Sequence, residues 1–174
     1  LPDGGAEHIA KTIRAVRDVG IEKVEALVSD FQGDSDSVRK VVESKPVVFN
    51  HNVETVPRLY PDVRPQADYE RSLAVLREAG RLGALTKSGV MVGLGEQPHE
   101  VQTVLRDLVS NGVRILTIGQ YLAPSAMHYP VREFVPPARF EWYRDKALEA
   151  GFSEVASGPF VRSSYMAETI YEDT

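Results

Sequence analysis

The architecture of this chain is most evident in residues 86–96, TKSGVMVGLGE. The stretch begins with hydroxyl and ammonium groups, continues through an apolar core, and ends in glycines and a carboxylate. A short apolar run followed by turn residues and then a helical pattern is typical of a βα unit in a parallel sheet. In such folds, the polar groups that bind ligands gather at the carboxyl ends of the strands.

The rest of the chain repeats this alternation of apolar runs and helical patterns. Further strands are predicted at residues 24–28, 46–49, 113–118 and 152–157. Helices are predicted at about 7–19, 68–82, 98–111 and 138–150, with another one capped by Asp34 or Ser35. Four or five parallel strands cannot close a barrel, and an apolar edge strand needs cover. We therefore expect a partner or further chain at the open edge of the sheet.

Length and composition indicate one globular domain. The chain has 174 residues, of which 43% are hydrophobic, enough for a single core. A net charge of −5, with both signs interspersed, gives no basic face for nucleic acid and no anchor for a membrane. No apolar run approaches the roughly 18 residues of a membrane span, and no signal peptide is evident. We therefore expect a soluble intracellular protein that binds neither nucleic acid nor membrane.

The sequence contains no cysteine. Disulfides, a thiol nucleophile and any thiolate-bound metal or iron–sulfur cluster within this chain are therefore excluded. The chain opens with LPDGG rather than with methionine, so it can be a piece of a longer protein, and composition does not decide this.

Asn50, Asn52 and Glu54 alternate after the strand predicted at 46–49. If the strand continues, they share one face and form a row of two amides and a carboxylate. Such a row can hold ribose hydroxyls or an amino-acid ammonium, although loop turns and helix capping explain the same pattern. His51 points to the other side, and we expect it to be packed or solvated.

Three further polar groups lie near strand ends. Lys87 and Ser88 precede the apolar core of the strand at 86–96, and this lysine can pair with a carboxylate or phosphate or lie at the surface. The turn at 93–95, GLG, allows close backbone approach but lacks the full spacing of a nucleotide-binding fingerprint. Gln120 begins a long loop that runs through 137, and its amide suits a planar ligand, with loop packing as the alternative.

Five sequence blocks, in this order, resemble lipoyl synthase. They are DFQGD (30–34), FNHNVET (49–55), TKSG with GLGE (86–96), TIGQYLAPS (117–125) and SGP with RSSY (157–165). Lipoyl synthases are similar in plan to other radical S-adenosylmethionine (SAM) enzymes. The resemblance therefore implies an α/β fold of parallel βα units that form part of a (β/α)6 partial TIM-type barrel. It implies that residues 1–174 are the C-terminal portion of one such domain, with 152–174 as an extension that carries the RSSY motif.

The resemblance also implies a chemistry. In the family, one 4Fe-4S cluster, held by a CxxxCxxC loop, cleaves SAM to a radical that abstracts hydrogen from C6 and C8 of a protein-bound octanoyl chain. An auxiliary 4Fe-4S cluster, held by a CxxxxCxxxxxC motif, is consumed as the sulfur source. Both cysteine motifs lie upstream in the family and are absent from this chain. We therefore expect the isolated 174 residues to be inactive.

Site residues follow from the same resemblance. The family's auxiliary cluster has a serine ligand in the RSSY motif, which corresponds to Ser163. Arg162 beside it is expected to control the cluster or the substrate, so both are predicted catalytic residues. The SAM and substrate side is predicted to be lined by Asn50, Asn52, Glu54, Lys87, Ser88 and Gln120.

The implied partners are octanoylated lipoyl-carrier domains or the glycine cleavage H protein, with an electron donor such as ferredoxin or flavodoxin. The bacterial cytoplasm is the expected compartment rather than the mitochondrion. The alternative is a cysteine-free, noncatalytic half-barrel that binds a nucleotide or a partner chain. Cysteine motifs encoded upstream of Leu1 would favour the enzyme over this binding module.

Overall fold

The structure is a computed structural model, and it describes residues 1–164. Its helices and strands are α1 (Ala6–Asp18), β1 (Glu25–Leu27), α2 (Ser35–Glu43), β2 (Val48–Asn50), α3 (Tyr60–Val63), α4 (Tyr69–Arg81), β3 (Thr86–Val92), α5 (Pro98–Ser110), β4 (Ile115–Gln120), α6 (Pro137–Ala150) and β5 (Glu154–Gly158). Each helix and strand expected from the sequence is present. The differences are that β3 ends at Val92 rather than at Glu96, and that α3 lies in a proline-rich segment expected to be irregular.

The five strands form one parallel sheet in the order β1-β2-β3-β4-β5. Every crossover therefore moves one strand in the same direction. Because βα crossovers are right-handed, this order puts the helices on one face of the sheet and curves the other face into an arc. The predicted architecture, parallel βα units forming part of a TIM-type barrel, is confirmed.

The two faces of the sheet carry different residues. Side chains alternate along a strand, so every second residue faces the helices. Val90 and Ile118 pack in the main apolar core with helix residues such as Leu105, and Phe49 packs in a second core beneath α1, α2 and α4. The opposite, concave face carries the intervening polar residues and glycines. Apolar burial on the convex face thus leaves the concave face available for polar groups.

Helix ends follow the sequence signals. Asp34 caps α2, because its Oδ2 accepts a hydrogen bond of 3.0 Å from the Ser37 amide, and Asp68 caps α4 in the same way through the Arg71 amide. Within residues 1–164, none of the helices has the length and hydrophobicity that a transmembrane span requires.

Candidate functional site

A largely buried ion pair lies on the concave face, near the amino ends of β1 and β3. Lys87 is fully buried within β3, and its Nζ lies 2.9 Å from Oε2 of Glu25 on β1. Asn50 on β2 donates a hydrogen bond of 2.7 Å to the other oxygen of the same carboxylate. Lys87 therefore lies within β3, before its apolar residues, and its ion pair with Glu25 reaches across β2, which lies between β1 and β3 in the sheet.

Ser88 faces the helix side of the sheet. Its side chain is fully buried, and its Oγ accepts a hydrogen bond of 3.3 Å from the backbone amide of Val53. This contact anchors the chain just after β2. His51, expected to be packed or solvated, is packed, with its ring nitrogens 2.9 Å from the Val28 carbonyl oxygen and 3.0 Å from the Ser72 hydroxyl. Burial lowers the pKa of His51.

A second polar cluster lies at the carboxyl ends of the strands. Nδ2 of Asn52 donates to Oγ of Ser163 at 2.9 Å and to Oε1 of Glu54 at 3.2 Å. The Asn52 side chain is only 7% exposed. Its Oδ1 has no hydrogen-bond partner among residues 1–164. A buried acceptor without a partner costs stability, so this atom is available to a donor on a ligand.

The backbone fixes Glu54 in this cluster. Its amide donates to the Gly89 carbonyl at 2.9 Å, and its carbonyl accepts from the Met91 amide at 2.7 Å, so the residue extends the β2 edge along β3. Glu54 has a φ of 64°, in the left-handed region that non-glycine residues rarely adopt. Burial raises the pKa of Glu54, while the hydrogen bond from Asn52 acts in the opposite direction.

Two glycines make room for this arrangement. A Cβ at Gly89 would lie 2.8 Å from Oδ1 of Asn52 and 2.9 Å from Oγ1 of Thr117. A Cβ at Gly119, on β4, would collide with the carbonyl oxygen of Val161. The segment after β5 can therefore cross over β4 and bring Ser163 to the end of β2, because the sheet carries no side chain at either point.

These groups enclose a cavity of about 260 Å³. The predicted site residues that line it are Asn52, Glu54, Gln120, Arg162 and Ser163. The other three, Asn50, Lys87 and Ser88, do not line it. The structure thus brings five of the predicted residues together around this cavity and separates them from Asn50, Lys87 and Ser88, which lie one level deeper in the sheet.

Gln120 lines the cavity, yet both ends of its amide are engaged by the loop after β4. Its Nε2 donates to the carbonyl oxygens of Tyr121 at 2.9 Å and Glu133 at 3.0 Å, and its Oε1 accepts from the Val135 amide at 2.9 Å. The long loop at 121–136 is held to the sheet by these bonds. Loop packing, the alternative that the sequence left open, therefore accounts for the polar atoms of Gln120.

Arg162 is exposed at the rim of the cavity, with Nη1 donating to the Val161 carbonyl at 2.7 Å. Tyr165, the last residue of the RSSY motif, lies outside the described residues.

Two polar residues of these clusters were not found from the sequence. Glu25 is one of them, and the signal was available, since a carboxylate within the apolar run predicted as a strand at 24–28 needs a partner. The other is Arg64, which lines an adjoining cavity of about 540 Å³ that shares Asn52 and Glu54 with the first. Arg64 donates to the carbonyl oxygen of Val53 at 3.2 Å, and no motif marked it in its proline-rich segment.

The linings of the two cavities together include the unpaired amide oxygen of Asn52, several hydroxyls, the two carboxylates of Asp30 and Glu54, and the two guanidinium groups of Arg64 and Arg162. This set suits a polar ligand that carries both charges and hydroxyl groups. In residues 1–164, no three His, Cys, Asp or Glu side chains are grouped so that they could hold a metal ion.

Comparison with known proteins identifies the family. The family described as the radical SAM superfamily matches residues 1–108. The chain is 57% identical over 171 residues to a lipoyl synthase of Chlorobaculum parvum, covering 97% of this chain and 58% of that protein. It is 56% identical over 176 residues to a lipoyl synthase of Rubrobacter xylanophilus, covering 99% of this chain and 55% of that protein. The chain thus spans little more than half the length of these curated relatives.

Solved structures agree on the fold. A crystal structure of methylornithine synthase matches with a TM-score of 0.57 and 16% identity, covering 95% of this chain and 66% of that one. A putative phosphonomutase from Burkholderia cenocepacia matches with a TM-score of 0.54 and 10% identity, covering 89% of this chain and 70% of that one. With the sequence match over residues 1–108, these findings lead to one conclusion: the chain belongs to the radical SAM superfamily, and the curated relatives that it matches are lipoyl synthases.

Proposed function

We propose that this chain is part of a lipoyl synthase, an enzyme that inserts sulfur at C6 and C8 of a protein-bound octanoyl chain. The observation that carries the proposal is the position of Ser163. Its hydroxyl lies in the cavity at the carboxyl ends of the strands, 2.9 Å from Nδ2 of Asn52. The sequence identity of 57% to a lipoyl synthase supports it further.

The residues that line the two adjoining cavities fit SAM as a ligand. The ribose hydroxyls and the ammonium of SAM are donors that could meet the unpaired Oδ1 of Asn52 and the carboxylate of Glu54, and its carboxylate could meet the guanidinium of Arg64. When bound at a reduced iron–sulfur cluster, SAM supplies the radical that removes hydrogen. The protein side chains here would bind and orient the ligand and exclude water from it.

A 4Fe-4S cluster does not fit this chain alone. The sequence has no cysteine, and Ser163 offers a single oxygen donor. In the proposal, Ser163 is one ligand of the auxiliary cluster, Arg162 lies beside that cluster, and the cysteine ligands of both clusters come from outside these 174 residues. The isolated chain is accordingly proposed to be inactive.

The proposal extends to partners and location. An octanoylated lipoyl-carrier domain or the glycine cleavage H protein would present the octanoyl chain, and ferredoxin or flavodoxin would supply electrons. A bacterial cytoplasm is proposed as the compartment, because the relatives named above are bacterial proteins.

The test compares two neighbouring serines. In the gene product that contains this chain, loaded with iron and sulfide, Ser163→Ala is expected to abolish formation of the lipoyl group on an octanoylated carrier. Ser164→Ala is the matched control, since Ser164 is exposed and does not line the cavity. Full activity of the Ser163→Ala protein would contradict the proposed role of Ser163.

A noncatalytic binding module is the second candidate, favoured by the absence of cysteine from the chain. Such a module would bind a nucleotide or a partner chain without chemistry. Titration of the 174-residue chain with adenosine, with SAM and with an octanoylated carrier addresses binding. A gene product without cluster-binding cysteines and without sulfur insertion, but with nucleotide binding, would support this candidate over the enzyme.

A further inference from the structure

Asn52 occupies the junction between β2 and the segment that follows β5. Its single amide nitrogen bonds both to Glu54, two residues along the chain, and to Ser163, 111 residues away. Asn52 is only 7% exposed, and both bonds are partly buried. A partly buried hydrogen bond constrains geometry more than an exposed one, because water replaces it less readily.

The approach of Ser163 depends on this contact and on one backbone crossing. Val161 is 6% exposed, and its carbonyl oxygen sits over Gly119 of β4. The Val161 amide donates to the Gly158 carbonyl at 3.1 Å. Beyond that point, the hydrogen bond to Asn52 is the side-chain bond that fixes Ser163 to the sheet in the described structure.

We propose that Asn52 is a positioning residue for Ser163: it holds the segment 161–163 across the sheet and directs the Ser163 hydroxyl into the cavity. The inference rests on the proposed function only in treating the Ser163 hydroxyl as a ligand of the auxiliary cluster. Nδ2 donates to the serine oxygen, so the oxygen retains its own proton and a further lone pair for another partner. Glu54 holds the amide in the orientation in which Nδ2, rather than Oδ1, faces Ser163.

Amide hydrogen exchange of Val161 in the 174-residue chain tests the positioning role without iron. When residues 161–163 move away from the sheet, this amide is exposed to water. Its exchange rate therefore reports the equilibrium between the docked and undocked states of the segment. Asn52→Ala is expected to accelerate the exchange about tenfold, the equivalent of one buried hydrogen bond. Ser163→Ala should act similarly, and the double variant should add little, because both changes remove the same bond.

Two controls separate docking from general destabilisation. The amide of Leu105, buried in α5, should keep its exchange rate in every variant, and Ser164→Ala should leave Val161 unchanged. If Asn52→Ala does not fold, Asn52→Asp keeps the shape of the side chain and removes the donor. An unchanged Val161 rate, or equal acceleration at Val161 and Leu105, would overturn the proposal.

A spectroscopic measurement links the positioning role to the cluster. In the iron-loaded gene product, Asn52→Ala is expected to change the electron paramagnetic resonance signal of the cluster that Ser163 is proposed to ligate, while Ser164→Ala leaves it unchanged. An unaltered signal with accelerated Val161 exchange would overturn the link to the cluster. Accelerated exchange with an active Ser163→Ala enzyme would instead contradict the proposed function and leave the positioning role intact.

Discussion

Asn50 is the last residue of β2 and Asn52 lies two residues beyond it, and their side chains make similar bonds in different surroundings. Each donates from Nδ2 to a carboxylate, Glu25 at 2.7 Å and Glu54 at 3.2 Å. Each has an Oδ1 without a partner among the described residues. The carboxylate at Asn50 also holds the ammonium of Lys87 at 2.9 Å, whereas Asn52 borders a cavity.

The two clusters differ in their depth along the strands. Near the amino ends of β1 and β3, the carboxylate and the ammonium balance each other, and none of Glu25, Asn50 and Lys87 lines either cavity, so we call this cluster closed. At the carboxyl ends, Asn52 and Glu54 meet a segment from the far end of the chain, and a cavity remains between them. A buried charge needs an opposite charge or hydrogen bonds from the protein itself, whereas a polar group that borders a cavity can form its hydrogen bonds with a ligand.

The largest expected effect comes from breaking the closed cluster. Lys87→Met removes the ammonium and leaves the Glu25 carboxylate, which is 14% exposed, without its cation. The free energy of unfolding should fall by about 3 kcal/mol, the low end of the range for a buried pair, because the carboxylate keeps some contact with water. Chemical denaturation of the 174-residue chain measures this. The double variant Lys87→Met/Glu25→Gln should recover most of the loss. A loss below about 1 kcal/mol would mean that the cluster is not closed, and the comparison would fail.

Gln120→Ala tests whether the carboxyl ends also contain structural polar groups. The substitution removes three hydrogen bonds to the loop at 121–136, so the free energy of unfolding should fall by about 2–3 kcal/mol. Cleavage of this loop by protease should become faster. Gln102→Ala, at a half-buried position on α5, is the control and should leave cleavage unchanged. Equal cleavage rates in both variants would indicate that Gln120 does not fix the loop.

Gly89→Ala tests the second cluster, in which Asn52, Glu54 and Ser163 border the cavity. The new methyl group would lie 2.8 Å from Oδ1 of Asn52, so the free energy of unfolding should fall by about 1–2 kcal/mol. The NMR signals of the Asn52 side-chain amide should shift as well. Gly80→Ala, in α4 with its nearest neighbour 4.0 Å away, should instead be neutral or stabilising. Unshifted Asn52 signals would show that the space at Gly89 is not needed by this amide.

The smallest effect is expected at the ion pair of Arg58 and Glu100, which is more exposed than the pair of Lys87 and Glu25. The hydrogen bond from Arg58 lowers the pKa of Glu100 from 4.5 to about 2, against the opposing effect of burial. A lowered pKa stabilises the fold above pH 4.5, and the contribution disappears as pH falls toward 2. Because Arg58 is 53% exposed, Glu100→Gln should cost only about 0.5–1 kcal/mol at neutral pH.

Denaturation at pH 7 and at about pH 2.5 measures this pH dependence. The difference between the original chain and Glu100→Gln should shrink at the lower pH, because protonation removes the advantage of the charged form. Glu141→Gln, at an exposed position of α6, should show a negligible difference at both. A Glu100→Gln difference that is the same at both pH values would contradict the lowered pKa.

Much of the fold was predictable because its signals are local. Apolar runs of strand length, helical stripes and caps such as Asp34 are read over a few neighbouring residues, and the corresponding elements are present. The α3 helix was missed because prolines dominate its segment. The side of the strand on which His51 lies was also predicted, since a residue between Asn50 and Asn52 must face the helices, but the choice between a packed and a solvated ring was left open.

The candidate site was less predictable. Lys87 and Asn52 are both polar residues in or next to the predicted sheet, and no local pattern indicates how deep each side chain lies. Gln120 matched the pattern of a ligand-binding amide, but its competing bonds come from residues 13 and 15 positions away. Arg64 had no local signal at all.

The sequence by itself determined the order of the elements and the resemblance to lipoyl synthase, because periodicity, caps and motif blocks depend on residues close in the chain. Only the tertiary structure decided which polar groups meet. Lys87 reaches Glu25 across 62 residues of chain, and Asn52 reaches Ser163 across 111. Such contacts follow from the register of parallel strands and from the absence of side chains at Gly89 and Gly119. Neither feature can be predicted from a pattern of neighbouring residues.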